Sequence, residues 1–316
     1  MQMRKLGRSG LMTAPLVLGG NVFGWTADRA TSFRLLDAAV DAGVNLIDTA
    51  DVYSMWAPGH KGGESETVIG EWLRARGPAL RARVLITTKV GMWPARNGLS
   101  AANIAAACDD SLQRLGVASI DLYQAHRDDD SVPLEETLAA FGALITAGKV
   151  RAIGASNYSA KRLREALDVS AANGLPRYET LQPEYNLYSR AGFEAELQAL
   201  CVAEDIAAIP YYGLASGFLT GKYRSPNDFG KSVRGGRMAA YLDARGLAVL
   251  AALDDVAAAT KRNPAQVALA WLMARPAIAA PIASATSLAQ LEDLTAAMTL
   301  ELSAAQMAML NVAGGD

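Results

Sequence analysis

Short apolar segments alternate with stretches of helical periodicity along almost all of the 316-residue chain. Such alternation favours a parallel sheet, because parallel neighbours need a crossover connection that is usually a helix. Eight units of this kind predict closure into an (α/β)8 TIM barrel. The predicted strands cover residues 16–18, 44–48, 84–88, 120–125, 150–155, 179–182, 206–210 and 278–282. The predicted main helices cover residues 29–42, 64–74, 101–115, 134–147, 159–172, 192–203, 263–274 and 288–297, the last being the final helix.

Two segments lie outside this alternation. Residues 1–14 predict a hairpin around Arg8 to Gly10, which would form a small lid on the barrel. Residues 211–262 separate the seventh strand from its helix by far more than the ~2–6 residues usual for such a loop. They hold a glycine-rich part and a predicted extra helix at 242–259, and loops of this length tend to be functional. We expect one TIM-barrel domain over residues 1–316.

Composition excludes several classes of function. The chain has 30 Lys+Arg against 32 Asp+Glu, a net charge of −2, and no basic stripe that would indicate nucleic acid or a membrane surface. No apolar run reaches the roughly 18 residues of a membrane span. Cys108 and Cys201 predict buried thiols rather than a disulfide framework, and two histidines in total predict no metal site. We expect a cytoplasmic protein.

Three successive predicted strands end in residues that carry chemistry. Asp48 closes the second strand and is followed by Tyr53, Lys89 follows the third strand, and His126 follows the fourth. In a parallel barrel the carboxyl ends of the strands meet at one end, where active sites form. The sequence therefore predicts that these four side chains converge on one site.

The four residue types suit acid–base chemistry. Tyrosine titrates near pH 10, and an adjacent Lys89 cation is expected to lower the pKa of the Tyr53 phenol into a useful range. Asp48 would keep Lys89 charged and oriented, and His126 would position a carbonyl oxygen beside the Tyr53 hydroxyl. The alternative is a structural Asp–Lys ion pair beside a buried histidine.

Other features have two interpretations each. Ser287 with Gln290 predicts a helix capping box, although a helix N-terminus after the eighth strand is also where barrels bind phosphate. The tryptophans that follow the first three strands, at positions 25, 56 and 93, favour a pocket wall over core packing. Residues 128–130 predict a solvated acidic loop, and the arginines of 74–83 predict the end of a surface helix. Dinucleotide (G-x-G-x-x-G) and P-loop fingerprints are absent from the sequence.

Several ordered motifs together resemble the aldo-keto reductase family over nearly the whole chain. They are Asn45 to Tyr53, Thr87 to Lys89, Asp121 to His126, Gly148 to Asn157, Leu181 to Asn186 and Gly217 to Tyr223. The resemblance implies an (α/β)8 barrel that binds NADPH without a Rossmann domain, with the long loop covering the cofactor. It implies Tyr53 as general acid, Asp48 and Lys89 as its tuning pair, and His126 as the orienting residue.

The resemblance also implies where NADPH would lie. The nicotinamide amide would meet Ser156, Asn157 and Gln182, and Tyr211 would stack on the ring. Asp48 also belongs to this cofactor set. The other implied contacts, from the first strand end, the long loop and the last helix, are Gly20, Asn21, Leu214, Ser216, Leu219, Lys222, Ser284, Thr286, Gln290 and Asp293. Tyr212 and Leu294 depart from the family pattern, and no arginine occurs within 284–294 to bind a 2′-phosphate. Arg234 is the candidate for that charge, and NADH stays open as an alternative.

These inferences predict a carbonyl reductase that acts on a small-molecule aldehyde or ketone. One alternative is a Schiff-base aldolase that uses Lys89 on the same kind of barrel. Another is a non-catalytic regulatory module that binds NADPH, as the family's potassium-channel β subunits suggest. The physiological substrate, the favoured direction and the oligomeric state do not follow from the sequence, because substrate loops vary freely on this fold.

Overall fold

The computed structural model describes residues 2–315, so the predicted spans 1–14 and 1–316 reach residues outside that range. One sheet of eight parallel strands forms the centre of the molecule. Its strands are short and buried, as expected for strands covered on both faces. We number them β1 to β8 in chain order: Val17–Gly19, Leu46–Asp48, Leu85–Val90, Ile120–Ala125, Val150–Ser156, Thr180–Gln182, Ala207–Ala208 and Ile282–Ala283.

The order of the strands closes the sheet. Strands β1 to β7 lie side by side in sequence order, and β8 pairs with the free side of β1. A parallel bridge between Ala208 in β7 and Ile278 then joins the two edges, with the Ala279 N–H donating to the Ala208 carbonyl at 2.8 Å. The predicted (α/β)8 barrel is confirmed. The carboxyl ends of all eight strands therefore meet at one end of the barrel.

Eight main helices surround the barrel. Serine caps start three of them. Ser100 accepts from the Asn103 N–H, Ser159 from the Arg162 N–H and Ser287 from the Gln290 N–H, and left-handed Gly116 ends the first of these helices. Among the helices of residues 2–315, none is both long and apolar enough to span a membrane. We number the eight α1 to α8: Arg29–Asp41, Glu64–Arg76, Ala101–Leu115, Leu134–Thr146, Ala160–Asn173, Leu197–Glu204, Pro264–Met273 and Leu288–Ala296.

The last strands and helices differ from the prediction. The predicted strand 278–282 is shortened and shifted to β8, because Pro281 has no N–H for a sheet ladder. The predicted helix 192–203 is two pieces, Ala191–Glu194 and α6, since Glu196 between them has a φ of −134°. Helix α8 is not the final helix. A helix at Ala304–Ala313 follows it and begins with a full capping box of Ser303 and Gln306.

Two charged segments, the predicted acidic loop and the arginine-rich segment 74–83, make specific bonds to distant residues. Asp128 accepts from Arg162 Nε at 2.9 Å, and Asp129 accepts from the Leu99 N–H at 2.8 Å, so the acidic loop ties two neighbouring connections together. Arg81 donates to Asp121 at 2.9 Å, and that carboxylate is almost fully buried at the start of β4. The prediction of a solvated loop was wrong for Asp128 and Asp129, because local composition does not reveal partners that lie about 30 residues away in the chain. The prediction of a surface helix end was right, since α2 ends at Arg76 with Arg74 and Arg76 exposed in its last turn.

The first residues form a hairpin below the barrel. Strands Arg4–Lys5 and Met12–Thr13 pair antiparallel, and Leu6 and Leu11 are buried against Val17 and Leu46 from the barrel interior. Arg4 Nη1 donates to the Met273 carbonyl at 2.8 Å. The hairpin therefore covers the amino-terminal end of the barrel, opposite the strand ends that carry the candidate site.

The long segment after β7 contains little regular structure before its helix. Three 3₁₀ turns at Ala215–Thr220, Pro226–Lys231 and Gly235–Tyr241 precede a helix at Ala244–Thr260. Ser216 has a φ of 57°, in the left-handed region, which tightens the first turn. Many residues of this segment border the cavity at the carboxyl end of the barrel.

Candidate active site

A buried ion pair lies at the floor of this cavity. Asp48 ends β2 and pairs in register with Thr87 of β3. Lys89 lies two residues after Thr87 on the same strand. Lys89 Nζ donates to Asp48 Oδ1 at 2.7 Å and Oδ2 at 2.9 Å, and to the Thr49 carbonyl at 2.7 Å. Lys89 is fully buried. Adjacent parallel strands thus bring together two residues that are 41 positions apart in the chain.

The Tyr53 hydroxyl joins this ion pair. It lies 3.0 Å from Lys89 Nζ and 3.2 Å from Asp48 Oδ2, so it accepts from the ammonium and donates to the carboxylate. The Lys89 ammonium also lies 4.6 Å from the centre of the Tyr53 ring. The three predicted side chains therefore lie within hydrogen-bonding distance of one another, with Tyr53 on the cavity side.

The titration of these groups differs from the prediction. Burial, followed by the negative charge of Asp48, raises the pKa of the Tyr53 phenol well above its ordinary value. Burial lowers the pKa of Lys89, against the opposing charges of Asp48, Asp51 and Glu66. The prediction that Lys89 lowers the Tyr53 pKa was wrong, because the phenol is buried and the Asp48 anion is nearly as close to its hydroxyl as the ammonium is.

His126 lies beside Tyr53 at the mouth of β4. Their ring centres are 5.9 Å apart, and the two ring planes meet at 68°. The backbone N–H of His126 donates to the Val90 carbonyl. Burial, followed by the charge of Lys89, lowers the pKa of the imidazole well below its ordinary value. Its Nδ1 atom has no partner among residues 2–315. A neutral imidazole keeps one N–H donor for an oxygen in the cavity.

Amide and hydroxyl side chains at the ends of β5 and β6 complete the floor. Gln182 Nε2 donates to Asp48 Oδ1 at 2.9 Å, so the end of β6 is linked to the ion pair across the barrel. Ser156 Oγ donates to the Gln182 carbonyl at 2.9 Å. Both side chains border the cavity. The barrel therefore presents an amide and a hydroxyl next to the carboxylate.

Asn157 holds the neighbouring wall. Its Nδ2 donates to the His126 carbonyl at 2.9 Å, and its Oδ1 accepts from the Tyr211 hydroxyl at 2.8 Å. Its φ of 58° is in the left-handed region, which asparagine tolerates better than most residues. The planar ring of Tyr211 thereby faces the cavity from the end of β7.

The cavity above this floor has a volume of ≈ 1060 Å³. The structure brings most of the predicted cofactor residues to its lining, but it does not place Gly20 or Leu219 there. Leu219 is fully buried in the core, and the Gly20 N–H donates to the Asp48 carbonyl at 2.7 Å. The lining cofactor candidates are Asn21, Asp48, Ser156, Asn157, Gln182, Tyr211, Leu214, Ser216, Lys222, Arg234, Ser284, Thr286, Gln290 and Asp293.

The far end of the cavity is formed by β8 and the start of α8. Ser287 Oγ accepts from the Gln290 N–H, but the Gln290 side chain binds the Thr286 N–H at 2.8 Å. Of the two hydrogen bonds of the predicted capping box, only the one that the Ser287 hydroxyl accepts is present. Asp293 is already engaged, because it accepts from Asn263 Nδ2 at 2.8 Å.

Arg234 enters the cavity from the long segment after β7. Its guanidinium lies 5.7 Å from the centre of the Trp25 ring, and burial lowers its pKa. Among the described residues, the titratable groups that act electrostatically on the Arg234 guanidinium are Tyr212, Tyr223 and Arg237, and none of them is a carboxylate. A half-buried guanidinium with no acidic partner is well suited to bind an anionic ligand.

The loops after β2 and β3 form an apolar mouth. Trp56 lies 5.9 Å from Tyr53 and 5.8 Å from Trp25, measured between ring centres. Trp93, in contrast, donates to the Lys61 carbonyl and does not line the cavity. The prediction of a wall from three tryptophans was right for Trp56 and wrong for Trp25 and Trp93, since Trp25 packs edge-on against Trp56 and is not part of the lining. The mouth is also lined by Met55, Met92 and Pro94, which belong to no motif and so were not predicted from the sequence.

Comparison with known proteins decides the identity of the chain. The profile described as "Aldo/keto reductase family" matches residues 15–313. The chain belongs to the aldo/keto reductase family. The resemblance inferred from its motifs is thus confirmed. The reaction of this family is NAD(P)H-dependent reduction of carbonyl compounds, and this aldo/keto reductase is accordingly an oxidoreductase.

Three similar proteins illustrate the range within the family. "Uncharacterized oxidoreductase YrpG" of Bacillus subtilis is 33% identical and covers 98% of this chain and 95% of its own. "L-glyceraldehyde 3-phosphate reductase" of Escherichia coli is 31% identical and covers 100% and 94%. "Probable voltage-gated potassium channel subunit beta" of Oryza sativa is 33% identical and covers 90% and 88%. The alignments span nearly the whole of each chain, so the site residues of this reductase lie in the shared domain.

Proposed function

We propose that this protein reduces aldehydes or ketones to alcohols with NADPH, and that Tyr53 is the general acid. One observation carries the proposal. The Tyr53 hydroxyl faces the cavity while it lies 3.0 Å from the Lys89 ammonium and 3.2 Å from the Asp48 carboxylate. A proton donor next to a buried cation is the arrangement that protonation of a developing alkoxide requires.

The residues divide the work of the reaction. When bound, NADPH supplies the hydride that adds to the carbonyl carbon. Tyr53 donates its proton to the carbonyl oxygen, and its raised pKa keeps that proton in place at neutral pH. The transfer is still favourable, because an alkoxide is far more basic than a phenolate. Lys89 stabilises the phenolate left on Tyr53, and Asp48 holds Lys89 in position.

His126 and the cavity walls would orient the substrate. The neutral imidazole donates one hydrogen bond without adding a charge that would compete with Lys89. The apolar mouth at Trp56, Met55 and Met92 favours a small carbonyl compound with an apolar or aromatic group. Closing this mouth over the substrate would exclude water from the reacting atoms.

The donor set of the cavity fits NADPH. Asn157, Gln182 and Ser156 offer the amides and hydroxyl that a nicotinamide carboxamide needs, and the Tyr211 ring offers a stacking face. Lys222 and Arg234 supply cationic groups for phosphates, and the N-terminus of α8 borders the far end of the cavity. The cofactor would therefore run from Gln182 along the long segment toward Gln290.

Arg234 is the residue that we expect to distinguish NADPH from NADH. Replacing Arg234 with Met should weaken NADPH binding by about 10- to 100-fold, because hydrogen bonds to a charged group contribute about 1.5–3 kcal/mol. The affinity for NADH should change little if the guanidinium binds the 2′-phosphate. Titration of tryptophan fluorescence with each cofactor measures both constants. An equal loss for both cofactors would assign Arg234 to the pyrophosphate, and no loss would remove it from the site. Arg237→Met is the matched control, because Arg237 is an exposed arginine of the same segment and does not border the cavity.

The two alternative functions find less support. A Schiff-base aldolase needs an amine that is free to attack a carbonyl, whereas Lys89 is fully buried and already donates to Asp48 and Thr49. A regulatory NADPH-binding subunit, suggested by the potassium-channel relative, would not need the Tyr53 hydroxyl to face an open cavity. Tight NADPH binding without turnover would favour that alternative.

A direct assay tests the proposed reaction. Purified protein should oxidise NADPH when an aromatic aldehyde or a dicarbonyl is added, and the loss of absorbance of the reduced nicotinamide measures the rate. The alcohol product should appear in equal amount. Absence of turnover across a broad panel of carbonyl compounds, with both NADPH and NADH, would overturn the proposal.

A further inference from the structure

A second polar cluster lies behind the active-site lysine, on the side away from the cavity. It occupies the space between the barrel and helices α2 and α3. Asp51, Glu66, Tyr123 and Thr88 in this cluster are all fully buried, and Arg114 of α3 is half-buried. None of these side chains borders the cavity. The proposed roles of Asp48, Tyr53 and Lys89 leave this cluster without a function.

Most of the cluster is internally satisfied. Glu66 Oε1 accepts from Thr88 Oγ1 at 2.5 Å, and Glu66 Oε2 accepts from Arg114 Nε at 2.6 Å. Glu66 and Arg114 therefore form a closed ion pair. Since Thr88 immediately precedes Lys89 in β3, this ion pair is attached directly to the strand that carries the lysine.

Asp51 is the exception. Both of its carboxyl oxygens, and the Tyr123 hydroxyl, have no hydrogen-bond partner among residues 2–315. An ionised carboxylate in such a position is costly, because burial removes its hydration and no side-chain donor replaces it. The pairs Lys89–Asp48 and Glu66–Arg114 already balance their charges. Asp51 would be the one unbalanced charge of the group if it were ionised.

The backbone couples Asp51 to the proposed catalytic residues. Asp51 lies three residues after Asp48 and two before Tyr53, and its N–H donates to the Lys89 carbonyl at 3.4 Å. The Asp51 carboxyl also acts electrostatically on the Lys89 ammonium and on Tyr123. A change in the charge of Asp51 would therefore be felt at Lys89 without any movement of the chain.

We propose that Asp51 is a positioning residue, whose carboxyl group sets the electrostatic field at the Lys89 ammonium and through it the proton transfer from Tyr53. The role in proton transfer rests on the proposed function. The effect on Lys89 does not, because it depends only on the distance between buried charges.

The protonation state of Asp51 determines its effect on the Lys89 ammonium. Burial, followed by the charge of Glu66, raises the pKa of Asp51 to about 8. The charge of Arg114, the Val52 N–H and the charge of Lys89 oppose this rise in pKa. Below that pH, Asp51 is a neutral acid, and Lys89 is free to stabilise a phenolate on Tyr53. Above it, a second anion faces Lys89 beside Asp48, and the negative charge disfavours the phenolate. Tyr123 and Cys108 complete the surrounding groups, and both remain neutral because burial raises their pKa values.

A pH titration of Lys89 in the protein without cofactor tests the first half of the proposal. The ¹³Cε signal of Lys89, assigned with a Lys89→Arg variant, should shift with a midpoint near pH 8 as Asp51 ionises. Asp51→Asn keeps the shape of the side chain and removes the titration, so the shift should disappear. Asp109→Asn makes the same chemical change in an exposed ion pair on α3 and should leave the shift in place.

The rate of carbonyl reduction tests the second half. In the wild type the rate should fall as the pH rises through about 8, by about tenfold at one pH unit above the midpoint. Asp51→Asn should keep its neutral-pH rate through this range. Glu66→Gln removes the charge that raises the Asp51 pKa, so the fall should move to lower pH. If Asp51→Asn does not fold, the shift in the midpoint of the pH–rate profile of Glu66→Gln still tests the proposal.

The outcomes separate the two proposals. A Lys89 signal that titrates identically in the wild type and in Asp51→Asn, or one that does not titrate near pH 8, would overturn the role of Asp51. An Asp51-dependent Lys89 signal in a protein that reduces no carbonyl compound would instead overturn the proposed function and leave the effect on Lys89 established. Identical pH–rate profiles for the wild type and both variants would remove Asp51 from the reaction.

Discussion

Replacing Tyr53 with phenylalanine should lower carbonyl turnover by about 10² to 10⁴, the usual contribution of a general acid. The change removes one oxygen atom and leaves the ring between Trp56 and His126. Lys89 and Asp48 retain each other and the Thr49 carbonyl, so the floor of the cavity should keep its shape. Steady-state rates with a carbonyl substrate and NADPH measure the effect.

Cofactor binding distinguishes a chemical defect from a structural one. The affinity of Tyr53→Phe for NADPH should stay within about twofold of the wild type, since the hydroxyl contributes a proton rather than a binding contact. Tyr188→Phe is the matched control, because its hydroxyl binds Asp243 on the protein surface away from the cavity. Turnover of Tyr53→Phe within tenfold of the wild type would show that another group donates the proton.

Replacing Lys89 with methionine should destabilise the fold by about 3–5 kcal/mol, because the Asp48 carboxylate is left buried without its cation. Gln182 Nε2 would still donate to Asp48 at 2.9 Å, but an amide cannot neutralise the charge. Turnover should also be lost, as no cation remains to stabilise the Tyr53 phenolate. Urea unfolding followed by circular dichroism measures the free energy of unfolding.

A double-mutant cycle with Asp48→Asn tests the cause of this loss. The variant that combines Asp48→Asn with Lys89→Met carries no buried charge at either position, so it should be less destabilised than the sum of the two single changes. Lys149→Met removes the cation of the exposed pair with Asp109 and should cost at most about 1 kcal/mol. Additive effects of Asp48→Asn and Lys89→Met would mean that the two groups do not depend on each other for charge.

The architecture and the positions of the chemical groups were accessible from local pattern. Apolar runs that alternate with helical periodicity predicted the eight strands, and most helix ends were predicted to within two residues. Because the carboxyl ends of parallel strands meet, Asp48, Lys89 and His126 could be expected at one site before any coordinates were known. The helix cap at Ser287 was likewise predicted, since a cap involves only neighbours in the chain.

The pKa values and orientations of those groups depend on distance and burial, which cannot be read from the sequence. The Tyr53 pKa is raised rather than lowered, because the three-dimensional structure buries the phenol and places the Asp48 anion 3.2 Å from its hydroxyl. Trp93 turns away from the cavity to reach the Lys61 carbonyl. Likewise, only the packing of α2 and α3 on the barrel leaves the Asp51 carboxyl buried without a side-chain hydrogen-bond partner among residues 2–315. The sequence alone determined which groups gather at the mouth of the barrel, because strand ends are a local property. Tertiary structure decided their charge and direction, because electrostatic energy depends on neighbours that are remote in the chain.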